Sequence, residues 1–146
     1  MKTLSSFLIL LFITINIAAC GTNSVNENTT KNDNTLKTQK IEVYYFHNTR
    51  RCATCNAVED VTKAALKEFY SEQTENDQIV FQSLDLGEDT SKSLIEKYKV
   101  SGPTLLFISG SKIVNLTNEG FMYARSKPEK FKKEIKKTVD KFLGQD

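Results

Sequence analysis

Strand-length apolar runs recur along the chain from about residue 40 onward. Three of them are rich in β-branched, aromatic or leucine residues: 41–46, 79–84 and 104–108. Runs of five or six such residues are typical of buried strands. Gly110 and Ser111 then form a two-residue turn signal before a fourth run at 112–116. This arrangement predicts a hairpin, whose two strands must be antiparallel.

Between and after these runs, apolar residues recur at helical spacing. They predict a long helix over 53–71, a short one capped within 89–91, and a C-terminal one that Pro128 opens. The apolar stripes consist, in order, of Val58, Val61, Ala65 and Phe69; of Leu94, Ile95 and Tyr98; and of Phe131, Ile135, Val139 and Phe142. The order β-α-β-α-β-β-α predicts an α/β fold with a mixed four-stranded sheet and helices on both faces. Helical crossovers in its first half predict parallel neighbours there.

The composition suits one packed domain. Of 146 residues, 39% are hydrophobic and 26% are charged, which is ordinary for a globular chain. The 20 basic residues nearly balance the 18 acidic ones, and the net charge of +2 is far from the basic excess of a nucleic-acid binder. We therefore expect no nucleic-acid partner. A mean hydropathy of -0.39 excludes a polytopic membrane protein.

The first twenty residues have the pattern of an export signal. Lys2 gives a positive start, 4–15 give an apolar core, and 17–20 place small residues before a cysteine. This last motif, Ile-Ala-Ala-Cys with Gly21 after it, resembles the lipobox of bacterial lipoproteins. The resemblance implies cleavage before Cys20 and lipidation of its sulfur. It also implies a membrane anchor on the non-cytoplasmic side of the bacterial cell envelope.

We therefore divide the chain into a signal peptide (1–19), a lipidated cysteine with a flexible tether (20–39), and one domain (40–146). The tether region is polar, with too few apolar residues to offset its ordering entropy. Two alternatives stay open for the first segment, an uncleaved anchor helix and an ordinary secretory signal with an incidental cysteine. The apolar run is shorter than the roughly 20 residues of a comfortable membrane span.

Two cysteines stand where the loop after the first strand enters the first helix, as Cys52-Ala-Thr-Cys55. Positions three apart lie on one helix face, so the two thiols can close a disulfide. We expect Cys52, at the exposed helix start, to be the nucleophile, because unpaired backbone N–H groups there stabilise a thiolate. Arg50 and Arg51 add positive charge, so its pKa should lie below the ~8.5 of a free thiol. Cys55, one turn further, should be buried and act as the resolving thiol.

A strand, a loop, C-x-x-C and a helix in this order resemble the thioredoxin superfamily. The residues Val-Ser-Gly-Pro-Thr at 100–104, directly before the third strand, resemble its cis-proline loop. The resemblance implies a cis bond before Pro103. It also implies that Gly102, Pro103 and Thr104 present backbone groups to a substrate beside the C-x-x-C. The implied activity is thiol–disulfide exchange with a protein or small-molecule substrate and a separate electron donor or acceptor.

The chain also departs from the thioredoxin pattern. The familiar Trp-Cys-Gly-Pro-Cys-Lys becomes Arg-Cys-Ala-Thr-Cys-Asn at 51–56. Thioredoxins carry a buried carboxylate at the end of the first strand, but Tyr45 and Phe46 stand there in this chain. The direction of electron flow and the redox potential therefore stay open. The stretch 45–55 is also similar to a small group of thioredoxin-like proteins of the ArsF type, associated with nitroreductases.

Three other interpretations of the cysteines stay open. With Cys20 lipidated, Cys52 and Cys55 form the one remaining pair, but a purely structural bridge over so short a loop would stabilise the fold little.

His47 could instead join them in a soft-metal site. One C-x-x-C and one histidine lack the four ligands of structural zinc, which leaves copper(I). Otherwise His47 is a loop residue that tunes Cys52 or simply contacts solvent. The third interpretation is a redox-inactive interaction domain. We expect no cofactor, no resident metal and a monomer.

Overall fold

A computed structural model of the protein describes residues 39–145. The predictions of a signal peptide, a lipidated Cys20 and a tether fall almost wholly on residues 1–38 and lie outside the described residues. Between residues 39 and 145, no helix combines the length and apolar character needed to cross a membrane.

The described chain contains four strands and five α-helices. In chain order they are β1 (Ile41–His47), α1 (Ala53–Phe69), α2 (Ser71–Glu75), β2 (Ile79–Asp85), a 3-10 turn (Asp89–Ser91), α3 (Lys92–Tyr98), β3 (Thr104–Ser109), β4 (Lys112–Asn115), α4 (Thr117–Tyr123) and α5 (Pro128–Leu143). All seven predicted elements are present, with ends within about two residues of the sequence pattern. The helices α2 and α4 were not predicted, because the first has no apolar residue and the apolar residues of the second are consecutive, so neither shows a helical period.

The four strands form one sheet in the order β2-β1-β3-β4. Strands β1 and β2 are parallel, whereas β3 runs antiparallel to β1 and β4 antiparallel to β3. The hairpin is as predicted, and Gly110 supplies its turn with φ +59°, a value that favours glycine. The prediction of parallel neighbours is confirmed for β1 and β2 but is wrong for β3, which is antiparallel to β1.

The short helix α3 explains the reversed direction of β3. Seven helical residues span about 10 Å, whereas the seven residues of β2 extend over about 23 Å. The helix α3 is therefore too short to carry the chain back to the opposite edge of the sheet, where a strand parallel to β1 would have to begin. Consistent with this, β2 ends at Asp85 opposite His47, and β3 begins at Thr104 opposite Phe46, at the same edge of the sheet.

Both faces of the sheet are covered, as an α/β fold requires. Along β1, Val43 and Tyr45 point into a core shared with α1, α4 and α5. Tyr44 and Phe46 point to the other face, where α3 packs. This alternation follows from the two-residue period of a strand. The predicted α/β class, mixed four-stranded sheet and two helical layers are confirmed.

The buried face of α1 differs from the predicted stripe. Val58 and Ala65 are buried as expected, whereas Val61 and Phe69 are only partly buried. The fully buried face is completed by Cys55, Glu59, Thr62 and Leu66. The helix is therefore rotated so that the second cysteine and a glutamate face inward.

Candidate active site

The cysteine pair lies at the edge of the sheet where β1 and β2 end and β3 begins. His47 closes β1, and its carbonyl oxygen accepts a hydrogen bond from the backbone N–H of Leu86 at 2.8 Å. The loop that follows is held by Thr49, whose hydroxyl donates to the Asp85 carboxylate at 2.9 Å. These contacts fix the path of the loop into α1, so that Cys52 starts the helix at this edge. The sequence did not point to Thr49 or Asp85, because their contact joins positions 36 residues apart.

Cys52 is the N-cap residue of α1, with extended backbone angles of φ -85° and ψ 166°. Its Sγ accepts a hydrogen bond from the backbone N–H of Cys55 at 3.3 Å, which replaces the oxygen of an ordinary N-cap side chain. The Cys52 side chain is exposed, whereas Cys55 is 7% exposed. The exposed helix start and the buried partner are therefore arranged as the sequence predicts.

The two sulfurs lie 2.9 Å apart as separate thiols. A disulfide bond is about 2.05 Å long, so a short movement of either sulfur would bring the pair to bonding distance. Hydrogen bonds from the Cys55 thiol and from the backbone N–H of Cys55 lower the pKa of the Cys52 thiol, with smaller help from the Thr54 N–H. The shift is in the predicted direction. The Cys52–Cys55 disulfide itself stays a prediction.

The expected cause of that pKa shift is confirmed for the backbone N–H groups of the helix start but not for the arginines. Arg51 was expected to stabilise the Cys52 thiolate, but its guanidinium donates to the carboxylate of Glu59. It also lies over the ring of Tyr45, 5.7 Å from the ring centre. Arg50 is exposed in the loop. The structure therefore directs Arg51 toward α1 and the sheet, because the buried carboxylate of Glu59 offers it a charged hydrogen-bond partner.

Glu59 is the main residue of the site that the sequence reasoning missed. Its side chain is 9% exposed and also accepts hydrogen bonds from Lys63 and from the Ser83 hydroxyl, the latter at 2.8 Å. Burial acts to raise its pKa, but the bonds from Lys63, Ser83 and Arg51 outweigh it and lower the pKa to about 2. The available signal was its spacing of four residues after Cys55, which puts both on one helix face.

His47 is not brought together with the cysteines into a metal site. Its Nδ1 donates to the carbonyl oxygen of Asn48 at 3.1 Å, and its ring lies 5.9 Å from the ring of Tyr45. Throughout residues 39–145, no three side chains of His, Cys, Asp or Glu are grouped to hold a metal ion. A copper(I) site here would therefore have to rely on the two cysteine thiolates.

The Gly-Pro loop lies at the same sheet edge, but its predicted conformation is wrong. No peptide bond among the described residues is cis, so the bond between Gly102 and Pro103 is trans. For an X–Pro bond the trans form is favoured by only about 0.5–1 kcal/mol, so the surrounding contacts decide between the two. Here the Thr104 hydroxyl donates to the Gly102 carbonyl at 2.8 Å, and no atom outside Gly102 and its two chain neighbours lies within 4 Å of where a Gly102 Cβ would be. The loop is therefore loosely packed at Gly102, and the Gly102 carbonyl finds its hydrogen-bond partner within the loop.

Among solved structures, the chain is similar to several thioredoxins. It shares 24% identity with the germline-specific thioredoxin Deadhead of Drosophila melanogaster, over 68% of this chain and 81% of that one, at a TM-score of 0.44. A thioredoxin from Thermus thermophilus is 17% identical over 70% and 76% of the two chains, at a TM-score of 0.41. The malaria-parasite thioredoxin-2 is 19% identical over 52% and 66%, at a TM-score of 0.39. No protein-family model and no curated protein matches the sequence. These likenesses concern the fold alone.

Proposed function

We propose that this protein is a thiol–disulfide oxidoreductase in which Cys52 attacks and Cys55 resolves. The observation that carries the proposal is the pair itself. An exposed thiol of lowered pKa caps α1, and its buried partner lies 2.9 Å away. A thiolate is the attacking form in disulfide exchange, and a second thiol within reach completes the cycle.

The proposed reaction balances as two successive exchanges. The Cys52 thiolate attacks one sulfur of a substrate disulfide and forms a mixed disulfide, and the released substrate thiolate takes up a proton. Cys55 then loses its proton to solvent and attacks the Cys52 sulfur, which releases the second substrate thiol. Two electrons pass from the cysteine pair to the substrate. A dithiol donor such as dithiothreitol returns them and restores the reduced pair.

The proposed location is the non-cytoplasmic face of a bacterial envelope membrane, with a lipid anchor on Cys20. Only the sequence pattern of residues 1–20 supports it. In such an oxidising compartment the pair would rest as a disulfide unless an electron donor serves it. The proposed partners are accordingly a disulfide-bearing substrate and a separate electron donor or acceptor. The finer grouping with ArsF-type proteins also stays a prediction.

The redox equilibrium of the pair with glutathione tests the proposal. We expect the purified protein to equilibrate between the dithiol and a Cys52–Cys55 disulfide, as read by mass spectrometry after alkylation. A potential near about -270 mV indicates a reductase, and one near about -120 mV an oxidant. A pair that exchanges with neither glutathione nor dithiothreitol contradicts the proposal. If that inert protein also binds copper(I) stoichiometrically, metal transfer is the better function.

A further inference from the structure

Tyr45 holds a buried hydroxyl that the structure leaves without a partner. The residue lies in the middle of the sheet on β1, and its side chain is fully buried. Among the described residues, no group forms a hydrogen bond with its hydroxyl oxygen. An unpaired buried donor costs free energy. A state of the protein in which the Tyr45 hydroxyl donates a hydrogen bond would explain why it is there.

The groups around Tyr45 are those of the cysteine site. The Arg51 guanidinium lies over its ring, and the His47 ring is 5.9 Å away on the same strand. Burial raises the pKa of the Tyr45 hydroxyl most, and the neighbouring Cys55 sulfur raises it further, whereas Arg51 acts to lower it. Tyr45 therefore keeps its proton at neutral pH. Its side chain points into the core beneath α1, and the buried face of α1 includes Cys55.

The Cys55 sulfur needs a hydrogen-bond donor when it is charged. Its thiol is buried, and a thiolate there lacks the water that would otherwise stabilise it. In the reduced pair the two sulfurs lie 2.9 Å apart, and the Tyr45 hydroxyl forms a hydrogen bond with neither of them. When Cys55 ionises to attack the mixed disulfide, its sulfur becomes a strong acceptor, and hydrogen bonds to ions are stronger than those between neutral groups.

We propose that Tyr45 is the hydrogen-bond donor that stabilises the Cys55 thiolate while it resolves the mixed disulfide. This inference rests on the proposed oxidoreductase function. Tyr45 keeps its own proton throughout, and the proton of Cys55 leaves to solvent. The new bond joins the sulfurs of Cys52 and Cys55, and the bond that breaks joins Cys52 to the substrate. Tyr45 is thus a positioning residue, which acts on the reaction through the Cys55 sulfur.

The two phases of a reaction with 5,5′-dithiobis(2-nitrobenzoate) separate attack from resolution. The first thionitrobenzoate is released when Cys52 attacks, and the second when Cys55 resolves. The test uses the full chain with Cys20→Ser, which leaves Cys52 and Cys55 as its two cysteines. In that protein we expect Tyr45→Phe to leave the rate of the first phase unchanged and to slow the second by about tenfold or more. The pH midpoint of the second phase should move upward, because Cys55 then ionises less readily. Stability to urea should be unchanged or higher, since the unpaired hydroxyl is gone.

Tyr44→Phe is the matched control. Tyr44 is the adjacent buried tyrosine on β1, but it faces the opposite side of the sheet, so both phases should keep their wild-type rates. A Tyr45→Phe variant whose second phase matches wild type across the pH range overturns the inference. So does one that slows both phases equally and unfolds more easily, which would indicate a packing role. A wild-type protein without the first phase instead overturns the oxidoreductase function itself.

Discussion

Replacing Cys52 by serine is expected to abolish disulfide exchange. A hydroxyl at this position is not ionised at neutral pH, so the helix start would hold no nucleophile. Serine still offers an oxygen to cap α1, and we therefore expect the fold to survive with little change in stability. The measurement is reduction of a protein disulfide with dithiothreitol as donor, corrected for the rate with dithiothreitol alone.

The Cys55→Ser variant should fail differently. Its Cys52 can still attack, but nothing resolves the product, so mixed disulfides should accumulate and be visible by non-reducing electrophoresis or mass spectrometry. Cys20→Ser is the matched control, because it removes the third cysteine of the sequence, which the proposed reaction does not use, and should leave exchange intact. If Cys52→Ser retains wild-type exchange, or if both active-site variants form mixed disulfides equally well, the assigned roles are wrong.

Loss of the Glu59 carboxylate should destabilise the fold more than any surface change on α1. In the folded protein its pKa is about 2, against an ordinary value of 4.5. A lowered pKa means that the folded state favours the charged form, so this contribution is complete above about pH 4.5 and disappears as the pH falls toward 2. The shift corresponds to about 3 kcal/mol. Glu59→Gln also leaves Arg51 without its charged partner.

Urea unfolding of wild type and Glu59→Gln across pH 2–7 checks this expectation. The difference in free energy of unfolding should be about 3 kcal/mol at pH 7 and should shrink as the pH falls through the range between about 5 and 2. Asp60→Asn is the matched control, since Asp60 is the next residue on the same helix and is exposed. A Glu59→Gln variant as stable as the control at pH 7 would show that the ion pairs of Glu59 with Arg51 and Lys63 contribute nothing net to stability.

Local patterns predicted the elements well because burial imposes them residue by residue. The strand β1 is an apolar run since both of its faces are covered, and the core of α5 follows Phe131, Ile135 and Val139. The order of elements then limited the topology to a few choices. The direction of β3 was missed because it depends on how far the short helix α3 carries the chain, which apolar spacing does not report.

The sequence identified the nucleophile of the cysteine site but only part of its surroundings. Spacing and position identified Cys52 and Cys55, and the helix start explains the direction of the Cys52 pKa. The partner of Arg51 could not be inferred, because Glu59 becomes a partner only through the rotation of α1. The trans bond before Pro103 was equally hidden, since an X–Pro bond is nearly balanced between its two forms.

The most direct test of the account is the pH dependence of alkylation at Cys52. The purified, reduced wild-type protein is treated with iodoacetamide over a pH series, and the modification at residue 52 is followed by mass spectrometry. Because only the thiolate reacts, the midpoint of the rate profile reports the Cys52 pKa. The account predicts a midpoint clearly below the ~8.5 of a free thiol, with Cys55 reacting much more slowly. A midpoint at or above that value, or slower reaction at Cys52 than at Cys55, would contradict it.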